Sequence, residues 1–194
     1  MDSIKILHFA DSHLGSTFPG LGRKGRQRGE EILNTFRRII SYARKEEVDV
    51  ILIAGDFIEA SSITDRVIQL IKETLLTLPD TKIFIAPGNH DYYSIGSPYG
   101  GGWPSHVHIF RTPLEIVDIP ELNTAVVGSA FLESHQRQSN WDRLLNPNES
   151  YLNQLIEAKY HGRHILGVFH GEVISDGQPS LYNPLQISRL PEGL

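Results

Sequence analysis

Three apolar runs, each closed by a polar cluster, constrain this chain more than anything else in it. Ile4 to Ala10, Val48 to Ala54 and Lys82 to Ala86 are strand-length and dominated by Ile, Val, Leu, Phe and Ala, and the first reads as a buried strand. Asp11-Ser12-His13 follows the first, Gly55-Asp56 the second, and Pro87-Gly88-Asn89-His90-Asp91 the third. Between the first two runs, Ile32, Phe36, Ile39, Ile40 and Ala43 recur at helical spacing, with Glu30 and Glu31 suited to a first turn and Arg44 and Lys45 to a last. Gly15 to Gly29, rich in glycine and basic residues, reads as the loop before that helix. A second helix runs through Ile68, Ile71, Leu75 and Leu78, with Pro79 just past its end. A β-α-β-α-β run predicts a parallel sheet with helical crossovers. Open α/β sheets place their ligand sites at the carboxyl ends of strands, where all three polar clusters fall.

The rest of the chain changes character. Tyr92 to Pro104 is a long Gly/Pro/Tyr/Ser loop. The short pieces His106 to Phe110, Leu114 to Ile119 and Thr124 to Gly128 suggest a second, more antiparallel layer. Asn148 to Tyr160 reads as a helix, and His164 to Phe169 as a strand ending at His170-Gly171. No repeat or linker divides the 194 residues, so a single domain spanning 1–194 is expected. No apolar run is long enough to cross a membrane. Asp2 and Lys5 interrupt any signal-peptide pattern, so a cytoplasmic location is expected.

Composition narrows the chemistry. The chain has no cysteine, which excludes disulfides, zinc-thiolate sites and cysteine nucleophiles. Any metal must be held by His, Asp, Glu, Asn or backbone oxygen. The strand-end clusters supply such donors: carboxylates from Asp11 and Asp56, imidazoles from His13 and His170, and an amide oxygen from Asn89. Mixed O and N donors without thiolate suit Mn²⁺, Fe or Zn²⁺ better than Ca²⁺. A shared carboxylate would hold two ions about 3.5–4 Å apart, the spacing of two-metal hydrolytic sites. A net charge of −5 gives no global nucleic-acid signature.

These ordered motifs resemble the calcineurin-like metallophosphoesterases. Ile6-Leu7-His8-Phe9-Ala10-Asp11-Ser12-His13-Leu14-Gly15 and Trp103-Pro104-Ser105-His106-Val107-His108-Ile109-Phe110 are similar to the SbcD-like and YhaO-like DNA repair exonuclease branch. The resemblance implies a four-layer α/β/β/α sandwich and a phosphodiesterase with two divalent ions, Mn²⁺ foremost and Fe, Zn²⁺ or Mg²⁺ as alternatives. It implies that Asp11 and His13 hold the first ion, Asp56 bridges, and Asn89 and His170 hold the second. His90 would donate a proton to the leaving oxygen, and Asp91 would orient a ligand or His90. DNA is the implied substrate, and an SbcC-type ATPase the implied partner of a full-length protein. Glu59 stands where this branch more often carries Asp or His. The family closes its site with Gly-His-x-His, whereas this chain ends at Arg189-Leu190-Pro191-Glu192-Gly193-Leu194, so a chain truncated before two ligands is expected. A truncated sheet could expose an unpaired edge and favour a homodimer.

Other residues admit both a bland and a functional reading. His106 and His108 form an H-x-H without the preceding glycine and read as structural or surface residues. His8 reads as a strand histidine, and His135, His161 and His164 as surface residues. Arg23, Lys24, Arg26 and Arg28 are either a solvated loop or a phosphate-backbone contact. Tyr92, Tyr93 and Tyr99 are either loop tyrosines or base-stacking platforms. Three functions compete: a Mn²⁺-dependent DNA phosphodiesterase, a small-molecule phosphodiesterase or phosphatase on the same metal site, and an inactive fragment.

Overall fold

The computed structural model describes residues 3–145, 162–186 and 188. Four strands form one parallel sheet in the order β1 (Ile6–Phe9), β2 (Val50–Ala54), β3 (Lys82–Ala86) and β4 (Val107–Ile109). The crossover helices are α1 (Arg23–Lys45) and α2 (Asp65–Leu75), the latter capped by the Thr64 hydroxyl accepting from the Val67 N–H. A second sheet holds β5 (Glu115–Ile119), β6 (Thr124–Gly128) and β7 (His164–Val168), antiparallel at β5–β6 and parallel at β6–β7. A short helix, α3 (Asn140–Leu145), precedes β7, and a two-stranded ladder, β8 (Val173–Ile174) with β9 (Leu185–Gln186), follows it.

The central strands are apolar on both faces because both faces are covered. Ile51, Ile53, Ile83 and Ile85 point to one side, where they pack with Phe36, Ile40 and Ala43 of α1 and Ile71 and Leu75 of α2. Val50, Leu52, Phe84 and Ala86 point to the other, against Ile119, Val126 and Val168 of the second sheet. Alternation along each strand thus builds two cores, one under the helices and one between the sheets. Helices, first sheet and second sheet are three of the four expected layers. The helix expected over Asn148 to Tyr160 lies outside the described residues.

Three expectations are corrected. First, α1 begins at Arg23, inside the segment expected to be a loop. Gly25 and Gly29 sit within the helix because the preceding chain crosses it. A Cβ on Gly25 would lie 2.6 Å from the Thr17 carbonyl oxygen and 2.7 Å from that of Phe18, and one on Gly29 3.1 Å from that of Ser16. The glycines permit close backbone packing rather than a turn, and Glu30 and Glu31 lie beyond the first turn. Second, His106 to Phe110 does not belong to the second layer: β4 pairs in parallel with β3. Third, β1 is an edge strand whose residues alternate between exposed and half-buried, not a buried one.

A side-chain contact also spans the two sheets. His108 on β4 lies 3.0 Å from the Glu115 carboxylate on β5. The His108 ring beside it holds the Glu115 carboxyl below its ordinary value despite partial burial.

Two outcomes are expected. Gly25→Ala should lower the urea midpoint with an unchanged slope. A helix propensity gain of about 1 kcal/mol is outweighed by an overpacking cost of about 1–3 kcal/mol. A carboxyl whose folded pKa is depressed contributes stability above its unfolded value, and that stability is lost as pH falls through the folded value. Stability should therefore drop from about pH 4.5 downward. Glu115→Gln should flatten part of that slope in denaturation curves taken across this range.

Candidate metal centre

The loops after β1 and β2 continue the sheet's pairing past the strand ends. The Asp11 N–H donates to the Gly55 carbonyl (3.1 Å), His13 to Asp56 (2.9 Å) and Leu14 to Phe57 (2.9 Å). This lock holds Asp11, His13 and Asp56 in left-handed backbone, at φ 54°, 44° and 47°. Such conformations cost a non-glycine residue of the order of 1–3 kcal/mol and persist only where the surroundings over-determine them. Gly55, at φ 83°, has no room for a side chain, since a Cβ would lie 2.3 Å from the His170 ring. A Cβ on Gly88 would lie 2.4 Å from Asp56 Oδ1. The glycines let the loops close around the carboxylate and the imidazole.

Asp91 holds this arrangement from below. It is fully buried, and its carboxylate accepts five hydrogen bonds. Four come from the backbone N–H groups of Gly88 (2.6 Å), Phe57 (2.8 Å), Ile58 (3.1 Å) and Asp56 (3.2 Å), and the fifth from the Tyr99 hydroxyl (2.5 Å). Burial pushes the Asp91 carboxyl up, opposed by these donors. Burial and the charge of Asp91 push the Tyr99 hydroxyl well above its ordinary value. Asp91 is held away from the rim and bonds the backbone around Asp56, not the His90 ring, so its part is positional.

On the rim, two imidazoles turn their Nε2 atoms toward one carboxylate oxygen. His170 Nδ1 lies 2.9 Å from the Ala54 carbonyl, to which only an N–H can bond. In the neutral ring its Nε2 then carries a lone pair. That atom faces Asn89 Oδ1 at 3.1 Å and Asp56 Oδ2 at 3.6 Å, two further acceptors. His13 repeats the pattern: Nδ1 lies 3.2 Å from Glu59 Oε2, and Nε2 faces the same Asp56 Oδ2 at 3.7 Å. Asp56 Oδ1 is occupied by the His90 backbone N–H at 2.9 Å. Acceptors facing acceptors call for a cation between them. Two donors each about 2.1 Å from one ion lie about 3–3.5 Å apart, close to these separations. Asp11, His13 and Asp56 converge in the same way, with one donor atom each within 4.8 Å of the others. The residues present therefore fit a divalent metal held among these donors.

Glu59 is the residue whose role could not be read from sequence. Its Oε2 lies within hydrogen-bond distance of both His13 Nδ1 (3.2 Å) and His90 Nδ1 (3.1 Å), and Ser61 donates to Oε1 (2.7 Å). Burial raises the Glu59 carboxyl, but the bonds from Ser61 and His13 and the nearby His90 hold it below its ordinary value. Glu59 thus orients two imidazoles at once, leaving both Nε2 atoms for chemistry. His90 is half-exposed above the rim, its ring edge-on to that of His13 at 4.8 Å. Asn183 is a second residue that sequence reasoning does not find. It is fully buried, and its Nδ2 donates to the His170 carbonyl (2.6 Å). Nothing in the local sequence signals it, because its partner is 13 residues away.

The remaining candidates divide. Arg23, Lys24, Arg26 and Arg28 are exposed on the first turns of α1, and Arg28 pairs with Glu31 at 3.2 Å. Tyr92 is exposed beside His90, whereas Tyr93 packs into the core with Arg111 over its ring. Tyr99, fully buried on Asp91, cannot stack on a base, which corrects that reading. His106 contacts the Leu75 carbonyl and His108 contacts Glu115, both far from metal chemistry. His135 and His164 are exposed, and His161 lies outside the described residues. A cleft of about 560 Å³ opens beside Asn89 and His90. A larger depression of about 840 Å³ is lined by Arg137, Asp142, Ile174 and Gln186, with no histidine among its described residues.

The chain is similar to known proteins. The model of the calcineurin-like phosphoesterase family matches residues 4–188. The DNA double-strand break repair protein Mre11 of Saccharolobus solfataricus is 36% identical over 90 residues, covering 45% of this chain and 23% of that protein. The SbcD component of the nuclease SbcCD of Staphylococcus epidermidis is 33% identical over 124 residues, covering 60% and 31%. The uncharacterized metallophosphoesterase YhaO of Bacillus subtilis is 28% identical over 178 residues, covering 88% and 41%. The chain thus spans less than half the length of these curated relatives.

Tyr99→Phe should remove one donor from a buried carboxylate and cost about 1–3 kcal/mol. Chemical denaturation should read this as a lower midpoint, with Asp91→Ala costing more because it strands four backbone N–H groups.

Proposed function

Because the chain belongs to the calcineurin-like metallophosphoesterase family, a class of metal-dependent hydrolases, we propose that it is the catalytic unit of a phosphodiesterase acting on DNA. The observation that carries this reading is the convergence of the His13 and His170 lone pairs on one oxygen of Asp56, with Asn89 and Asp11 beside them and His90 above. In this reading Asp11 and His13 would hold one ion and Asn89 and His170 the other, with Asp56 shared between them. Two divalent ions held there, Mn²⁺ by preference, would supply the Lewis acidity for activating water and neutralising charge on the phosphate.

The chain's own groups do the rest. Glu59 accepts a hydrogen bond from His90 Nδ1, and when the ring is protonated on both nitrogens its Nε2 proton can pass to the leaving oxygen. Asp91 keeps the Asp56 and Gly88 loops from relaxing out of register. The exposed cations at the start of α1 suit backbone phosphates, and the positive end of the helix dipole adds to them. Of Tyr92, Tyr93 and Tyr99, exposure favours Tyr92 for base contact. The names of the Mre11 and SbcCD relatives support DNA as the substrate, and the second supports an SbcC-type ATPase as the partner of the whole protein. No helix among the described residues is long and apolar enough to cross a membrane.

The test is cleavage of single-stranded DNA with Mn²⁺. His90→Ala should lower kcat by about 10²–10⁴ while calorimetry still reads Mn²⁺ binding. Asp56→Ala should abolish both. Activity confined to phosphomonoesters or free nucleotides would overturn the DNA reading, and absence of Mn²⁺ and Zn²⁺ binding would overturn the catalytic one.

A further inference from the structure

The cleft beside His90 differs chemically from the rim it adjoins. Its described lining contains no lysine or arginine. A site for phosphate alone would need cations, which the metal donors on the rim call for and the cleft does not provide. What the cleft offers is ring surface and hydroxyls. Tyr92 is 38% exposed and Tyr182 37% exposed, and Ser61, Ser94 and Ser134 line the same cleft. The two tyrosines come from different parts of the fold, Tyr92 from the loop after β3 and Tyr182 from the segment leading into β9.

The Tyr182 side is built rather than incidental. His135 stacks on the Tyr182 ring, with centroids 5.8 Å apart and planes 28° from parallel. The backbones carrying them are bridged: the Gln136 N–H donates to the Leu181 carbonyl (2.6 Å), and Asn183 to that of Gln136 (2.7 Å). Asn183 then ties the wall to the metal centre through the His170 carbonyl. A Cβ on Gly171 would lie 2.4 Å from the Asn183 carbonyl oxygen, so the two segments are in close contact. The aromatic wall is thereby held in register with a residue that faces Asp56.

We propose that this cleft is a subsite for one unpaired nucleobase of the nucleotide whose phosphate lies at the metal centre. Charge is handled on the rim, and a neutral planar group is received beside it by Tyr92, Tyr182 and His135. Stacking tolerates any base, because every base has a π-face. A paired base stays between its neighbours in the duplex and cannot enter, so the subsite selects single-stranded or frayed ends. This inference rests on the phosphodiesterase reading for its place beside a phosphate, but its test is a binding measurement and does not require turnover.

The experiment is calorimetry on this chain with Mn²⁺, comparing thymidine 5′-monophosphate with 2-deoxyribose 5-phosphate. Base–ring stacking should make the nucleotide bind about tenfold tighter or better. Tyr182→Ala should erase that preference while orthophosphate affinity is retained, and Tyr182→Phe, which keeps the ring, should restore it. Equal affinities for the two ligands, or no detectable binding of the nucleotide, would overturn the proposal. A base preference without DNA cleavage would sink the DNA nuclease reading and leave the subsite standing. DNA cleavage without a base preference would do the reverse.

Discussion

The buried carboxylate of Asp91 is the interaction on which the rest of the site depends. Its two oxygens take four backbone N–H groups and one hydroxyl, from the loop after β2, the loop after β3 and the Tyr99 segment. Those loops run past the ends of a parallel sheet and have no ladder partners of their own for these groups. An unsatisfied buried N–H is costly, so one carboxylate that accepts four of them sets where both loops can lie. Asp56 is the first beneficiary. Its backbone is held in a left-handed conformation, and its side chain is turned so that one oxygen meets the His90 N–H and the other faces outward.

From that placement follows the electrostatic character of the rim. Each flanking imidazole is anchored through Nδ1, His170 on a main-chain carbonyl and His13 on Glu59. Anchoring fixes which nitrogen keeps its lone pair, and both lone pairs end up facing the same oxygen. With both rings neutral, a cation between these acceptors would satisfy all of them. Glu59 adds a second constraint by tying His13 to His90, so the orientation of a proposed metal ligand and that of the proposed proton donor are coupled through one carboxylate.

Much of this is legible in the chain itself, and particular residues show where legibility stops. The strands, their order of appearance and the polar clusters at their ends follow from apolar runs and punctuation, which are local. The start of α1 is not legible, because Gly25 and Gly29 signal a loop unless the crossing backbone of residues 16–18 is known. Tyr99 sits in a Gly/Pro-rich stretch that reads as an exposed loop, yet it is buried on Asp91. The strand at Val107–Ile109 reads as part of the wrong layer because strand-length patterns carry no information about which sheet they join.

The amino-acid sequence settled the residue types that could meet a metal, their positions at strand ends and the parallel β-α-β frame that brings those ends to one side. These depend on periodicity and on residue chemistry, which are properties of short stretches. Tertiary structure decided the rest: that Asp91 supports loops rather than the proton donor, that Glu59 serves two histidines, that Asn183 braces His170, and that Tyr92 rather than Tyr99 faces the cleft. Each is a contact between segments brought together only by packing, where the cost of burying an unpaired polar group selects the partner.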